Sequence, residues 1–168
     1  FNSEETGYEN YIDLESFIDF FILNEISKNP DGLRLSTFMH KDKGEKLKMG
    51  PIWDFNLAFG NVNYCTGSSP EGWIYRFNEI CPEDTWLVPF WWSRFMEDPA
   101  FVSGLKERWN NLRGNLFSTS EILQRINLLE ENLKISNAAK NNFSKWSVLG
   151  EYVWPNDYIG NSFDDEIN

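Results

Sequence analysis

The sequence predicts a mainly α-helical domain carrying one small antiparallel β-hairpin. Three observations support that class. Apolar residues recur at helical spacing up to Lys28, strict alternation replaces that spacing after Gly32, and helical spacing with cap signatures returns beyond residue 90. Composition agrees, since 168 residues at 41% hydrophobic and 17% aromatic content, with eight tryptophans, suffice for one domain with a sizeable core.

The first helix spans residues 13–28. Asp13 is its N-cap, Glu15 lies in the first turn, and Leu14, Phe17, Ile18 and Phe21 share one side opposite Glu15, Ser16 and Asp19. Glu25 continues the Ile18–Phe21 stripe onto the buried side, where it reads as an acid paired with Arg34. Asn29-Pro30-Asp31-Gly32 ends the helix, because Pro30 biases Asn29 away from helical geometry and Gly32 permits a tight turn. A hairpin follows, with strands near 33–40 and 46–53. Leu33, Leu35, Thr37 and Met39 alternate with Arg34, Ser36, Phe38 and His40, "KDKGE" turns, and "KLKMGPIW" returns with Pro51 near its end.

Residues 61–90 read as irregular, rich in Gly, Pro, Ser and Asn. "WWSRFMED" is a short helix. The next, over 99–113, has Asp98 as N-cap, Pro99 at its first position and Gly114 at its end. Ser118 and Glu121 form a capping box for a long helix over 120–145, with Ile122, Ile126, Leu129 and Leu133 on one face. Both ends of the chain read as cut: it opens in mid-flow, and "SFDDEIN" offers Ser162 as an N-cap with no helix after it.

A net charge of −11 excludes nucleic acid as a partner and adhesion to an anionic membrane surface. No apolar run approaches the roughly 20 residues of a membrane span. One histidine and two distant cysteines give no zinc pattern. A calcium loop at Asp54 fails because Ala58 and Phe59 stand where a ligand and a glycine are needed. No Ser-His-Asp arrangement is visible, and His40, beside a turn, has no assigned role. Cys65 and Cys81 flank one loop, and a bridge there would stabilise by about 3 kcal/mol. Two independent thiols are the equal alternative, with the bridge expected in an oxidising compartment.

The element order carries the chemistry. Helix, a turn with Asp31, strand, turn, strand and a turn with Asp54 is the order of the catalytic lobe of protein kinases. There one carboxylate accepts or orients the substrate hydroxyl proton, and a second holds Mg²⁺ against the triphosphate. A two-strand ribbon fixes their separation. Asp31 takes the first role in this reading and Asp54 the second. The position five beyond Asp31, where kinases place an Asn ligand, is Ser36, whose hydroxyl can also coordinate Mg²⁺. Trp53 and Phe55 are expected as core anchors that pin the Asp54 turn. Taken singly, Asp31 in Pro-Asp-Gly is an ordinary turn residue, and Asp54 could cap backbone N–H groups.

Residues 11–61, with the helix end "FILNEI", the hairpin "KDKG…KLKMGPIWDFN" and the tail "LAFGN", resemble the spore-coat protein H (CotH) kinase family. Residues 62–160 are similar to the form found in large surface proteins of gut-type bacteria. The resemblance implies the carboxy-terminal lobe of an atypical protein kinase, secreted or at the cell surface, that phosphorylates protein serine. Its implied cofactors are ATP and Mg²⁺ or Mn²⁺, neither of them needed for folding. By motif, Asp31 matches the catalytic acid and Asp54 the metal-binding acid, with Ser36 and Asn56 as cofactor-binding residues. Asn56 stands where the family often has a second acid, which removes one negative charge from the site. The amino-terminal lobe, with its phosphate loop and lysine, has no counterpart here. Residues 1–168 are therefore read as a partial kinase-like domain, expected to be inactive alone.

The run Trp86, Phe90, Trp91, Trp92 and Phe95 supports an alternative from another class. Surface tryptophans stack on sugars or partner proteins, and some family members on fungal surfaces act as adhesion ligands. A non-catalytic adhesion domain, with a surface glycan or protein as partner, would leave several of these rings exposed in one patch. A kinase lobe would bury them, and their helical spacing favours that.

Overall fold

Asp13 starts the first helix, α1 (Leu14–Ser27), by accepting a hydrogen bond from Ser16 N–H at 3.0 Å, and Lys28 ends it in the left-handed region at φ 53°. The computed structural model describes residues 6–167. In it the chain forms two compact units, one ending at Trp109 and one starting at Asn110. Among the described residues no helix is long and apolar enough to cross a membrane.

In the first unit α1 is buried nearly all round, through Phe17, Ile18, Phe20, Phe21 and Ile22. Against it pack Trp92 and Phe95 of α3 (Phe90–Met96) and Phe101 of α4 (Pro99–Gly114), while Phe77 of α2 (Phe77–Ile80) is buried in the same unit. The contacts are aromatic: Phe21 lies 5.7 Å from Trp92, and Phe95 stacks on Phe101 at 4.9 Å between centroids. Burying several such rings, at about 1.5–3 kcal/mol each, is what fixes α1 as the central element.

The hairpin is antiparallel but shorter than its alternation predicts. β1 (Met39–His40) pairs with β2 (Lys48–Met49) in the register Met39 to Met49 and His40 to Lys48. Residues 33–36 turn instead of forming a strand, because the Asp31 carbonyl accepts N–H bonds from Arg34, Leu35 and Ser36 at 3.2, 2.9 and 2.9 Å. The alternation misled because both Leu33 and the Arg34 side chain turn inward. The return strand is pinned to the start of α1: Leu47 N–H donates to Tyr11 C=O and Asp13 N–H to Leu47 C=O, both at 2.8 Å. The segment 61–90, expected as irregular, contains α2 and a 3₁₀ turn at Ile74–Arg76.

The second unit holds α5 (Thr119–Ile135), α6 (Ala138–Lys145) and α7 (Phe163–Ile167). Ser118 caps α5 by accepting from Glu121 N–H. The single long helix expected over 120–145 is broken: Ser136 Oγ bonds back to the Asn132 carbonyl at 2.7 Å and Asn137 turns left-handed at φ 55°. Ser162 accepts from Asp165 N–H at 3.1 Å, so α7 does follow its cap.

Gly32 is required by crowding and not by a left-handed turn. A Cβ there would lie 1.7 Å from Asn24 Oδ1, and Asn24 is fully buried. Gly32→Ala should therefore destabilise by at least about 1–3 kcal/mol, the usual cost of overpacking, read from urea denaturation. Unchanged stability would show that Asn24 yields freely.

Candidate active site

The site begins at the end of α1, where two buried asparagines organise the turn. Asn24 donates to the Phe20 carbonyl at 2.9 Å, and its Oδ1 accepts from Asn29 Nδ2 at 3.3 Å. Asn29 Oδ1 accepts from Asp31 N–H at 3.3 Å, and Asn29 Nδ2 also reaches the Asp54 carbonyl at 3.5 Å. One buried amide thus ties together the two turns that carry the acids.

Asp54 stands exposed in the left-handed region at φ 63°, a conformation Asp tolerates better than most residues. Its Oδ2 accepts a hydrogen bond from Ser36 Oγ at 3.4 Å. Ser36 and Asp54, eighteen residues apart, are therefore brought together. Asn56 is exposed, and its backbone carbonyl accepts from Asn61 Nδ2 at 2.7 Å. Trp53 and Phe55 are not core anchors. Trp53 is exposed and meets Phe38 edge-on at 6.4 Å, and Phe55 is half-buried. The Asn29 Nδ2 bond to the Asp54 carbonyl and the Phe59 N–H bond to the Ser27 carbonyl at 2.6 Å tie this segment to the end of α1 instead.

Asp31 is held differently. Its Oδ1 accepts from Arg34 Nη2 at 2.9 Å, and the Arg34 side chain is only 3% exposed. Arg34 Nε donates to the Pro30 carbonyl at 2.8 Å, while Nη1 donates to the Trp86 carbonyl at 2.7 Å and to Asp84 Oδ2 at 2.9 Å. The guanidinium also sits 3.9 Å above the Phe77 ring. Asp84 is held below the usual carboxylate range, first by the Trp86 N–H and then by Arg34. Burial, and next the Asp31 charge, push the Tyr64 phenol up. A Cys65–Cys81 disulfide, Cα atoms 5.4 Å apart, closes residues 65–81 and anchors the start of the segment that carries Asp84 and Trp86.

With this geometry in place, the comparison with known families is decisive. The family model described as CotH kinase protein matches residues 1–168, the whole chain. The chain belongs to the CotH kinase family. It is a kinase-like domain, mainly helical with one antiparallel hairpin, as the family resemblance implies. No curated protein and no solved structure matches it.

Asn29 and Arg34 are the parts of this candidate site that sequence reasoning did not assign to it. Their signals were faint: an amide ahead of Pro30, and an arginine three beyond an acid. The aromatic run divides, with Trp92 and Phe95 in the core while Trp86 and Phe90 stand exposed.

Glu25 does not meet Arg34. Its carboxylate accepts from Ile74 N–H and Tyr75 N–H, both at 2.8 Å, and so caps the 3₁₀ turn. It lies against an apolar cavity of about 410 Å³ lined in part by Phe21, Trp73 and Leu105. Burial pushes its carboxyl from 4.5 up to about 7, against the opposing pull of the two amides. A folded-state value above the unfolded one means the native state binds more protons between them. Glu25 therefore contributes stability that is complete below pH 4.5 and is lost as pH rises through about 7. The loss should be of order 3 kcal/mol in urea denaturation across that window. Glu25→Gln should remove this part of the pH dependence, and an unaltered pH profile in the variant would contradict the assignment.

Proposed function

We propose that this domain belongs to a protein kinase that transfers the γ-phosphoryl group of ATP to a protein serine hydroxyl, outside the cytoplasm or at the cell surface. One observation carries the reading: the Asp54 carboxylate and Ser36 hydroxyl meet at 3.4 Å, on a turn tied through Asn29 to the turn of Asp31. The disulfide supports an oxidising compartment.

The residues fit Mg²⁺ in the manner it adopts with nucleotides. That ion takes one or two carboxylates, keeps waters and completes its shell with phosphate oxygens. Asp54 and Ser36 supply two hard oxygens on an exposed turn, and Asn56 lies two residues further along. Among the described residues no three His, Cys, Asp or Glu side chains gather into a protein-only metal cage. When bound with ATP, the ion would neutralise charge on the transferring phosphoryl group. Asp54 and Ser36 would hold the ion. Asp31 orients the acceptor hydroxyl and receives its proton. Arg34, fixed by the Pro30 and Trp86 carbonyls, keeps the Asp31 carboxylate in one orientation.

A second reading, a non-catalytic surface-binding domain, is favoured by the exposure of Trp86 and Phe90. Mutants of the full-length protein separate the two. Asp54→Asn should abolish Mg²⁺-dependent transfer of radiolabel from ATP to protein. Asp31→Asn should slow it by on the order of 10²–10⁴ with nucleotide binding largely kept. Transfer that survives Asp54→Asn would refute the kinase reading.

A further inference from the structure

The segment from Trp86 to Phe90 departs from the rule that large apolar side chains near a core turn inward. Trp86, Leu87 and Phe90 are 65%, 58% and 76% exposed, while Val88 between them is buried. The backbone that carries them is nevertheless fixed at several points. Arg34 Nη1 grips the Trp86 carbonyl at 2.7 Å, and the Trp86 N–H donates to Asp84 Oδ1 at 2.8 Å. Asn78 takes both sides of Val88, accepting its N–H at 2.7 Å and donating to its carbonyl at 2.9 Å. The Cys65–Cys81 disulfide closes the loop behind it. Exposed aromatics on an ordered backbone form a preorganised contact surface, since the backbone needs no further ordering on binding.

Its position says what it would contact. The same guanidinium that holds the Trp86 carbonyl holds Asp31 Oδ1 at 2.9 Å. Those two oxygens are thus within roughly 8 Å, the reach of a planar fork with one bond on each arm. A chain presenting a hydroxyl to Asp31 therefore passes within a residue or two of this surface. Exposed Glu83 lies three residues before Trp86, and the net charge of −11 disfavours an acidic visitor.

We propose that Trp86, Leu87 and Phe90 form the docking face for the acceptor polypeptide, taking an apolar side chain beside the acceptor serine within a basic segment. This rests on the kinase reading above and adds the class of acceptor.

The test uses the full-length protein and two serine peptides of equal length. In one the serine is flanked by Phe, Leu and Lys, and in the other by Gly, Asn and Asp. Both radiolabel transfer and direct binding by fluorescence polarisation are measured. The basic apolar peptide should be preferred, and Trp86→Ala should raise its KM and Kd about tenfold, the loss of one aromatic anchor. The KM for ATP should stay within about twofold, because Trp86 is not assigned to the nucleotide. Trp146→Ala, a control at another exposed tryptophan, should leave peptide binding unchanged. Transfer that persists with no peptide preference, or with KM and Kd unmoved by Trp86→Ala, overturns the docking face and leaves the kinase reading intact. Absence of transfer with Trp86-dependent binding retained overturns the kinase reading and keeps the face as a peptide site. Absence of both overturns both.

Discussion

A single buried guanidinium organises this domain. Arg34 has five N–H donors and no acceptor, so placing it at 3% exposure obliges the fold to surround it with oxygens. They come from three places: the Pro30 carbonyl, the Asp31 carboxylate, and the loop carrying Asp84 and Trp86. Segments distant in sequence are thereby tied to one planar group. Such a set adds little net stability over an apolar core of equal volume, since desolvation offsets most of the attraction. Its value is geometric, because a planar fork with a different acceptor on each nitrogen fixes angles that apolar packing leaves loose.

The two acids consequently differ in kind. Asp31 is half-buried and locked, with one oxygen committed to Arg34, which suits a group that must present a carboxylate in one orientation. Asp54 is exposed and held through its backbone, its carboxylate touching only the hydroxyl of Ser36 among the described contacts. That suits the cation-binding role proposed for it. Asn29 couples them, so the separation of the acids is set by the end of α1 as much as by the hairpin between them. The residues around Glu25 show the opposite economy, where a carboxylate is spent on capping a turn and burial raises its proton affinity.

Much of the fold was legible because it rests on local rules. Asp13, Ser118 and Ser162 cap helices as their spacing indicates, and Pro99 and Gly114 bound α4. The hairpin was legible in kind but not in length, because alternation cannot distinguish a strand from a turn that buries Leu33 and Arg34 together. Trp53 was misplaced for a related reason: a tryptophan beside a strand end reads as core, whereas hydrogen bonds to Asn29 and Ser27 already tie that segment to α1. Of the site, Asp31, Ser36 and Asp54 could be nominated from element order. Asn29 and Arg34 could not, since their function lies in contacts reaching 25 and 52 residues along the chain, which no local pattern encodes. The Glu25 partner was lost the same way, its amides lying 49 and 50 residues away.

The central claim is that the Arg34 fork, and not its charge alone, holds the loop of residues 84–88 beside Asp31. Arg34→Lys keeps the charge and removes the fork. Amide hydrogen exchange at Trp86 and Val88 in this variant tests the claim most directly, with Phe21 inside α1 as reference. Exchange at both loop amides should rise by at least roughly tenfold, about 1.4 kcal/mol of local stability, while Phe21 stays protected. Equal protection of Trp86 and Val88 in the variant and the unaltered protein would contradict the account.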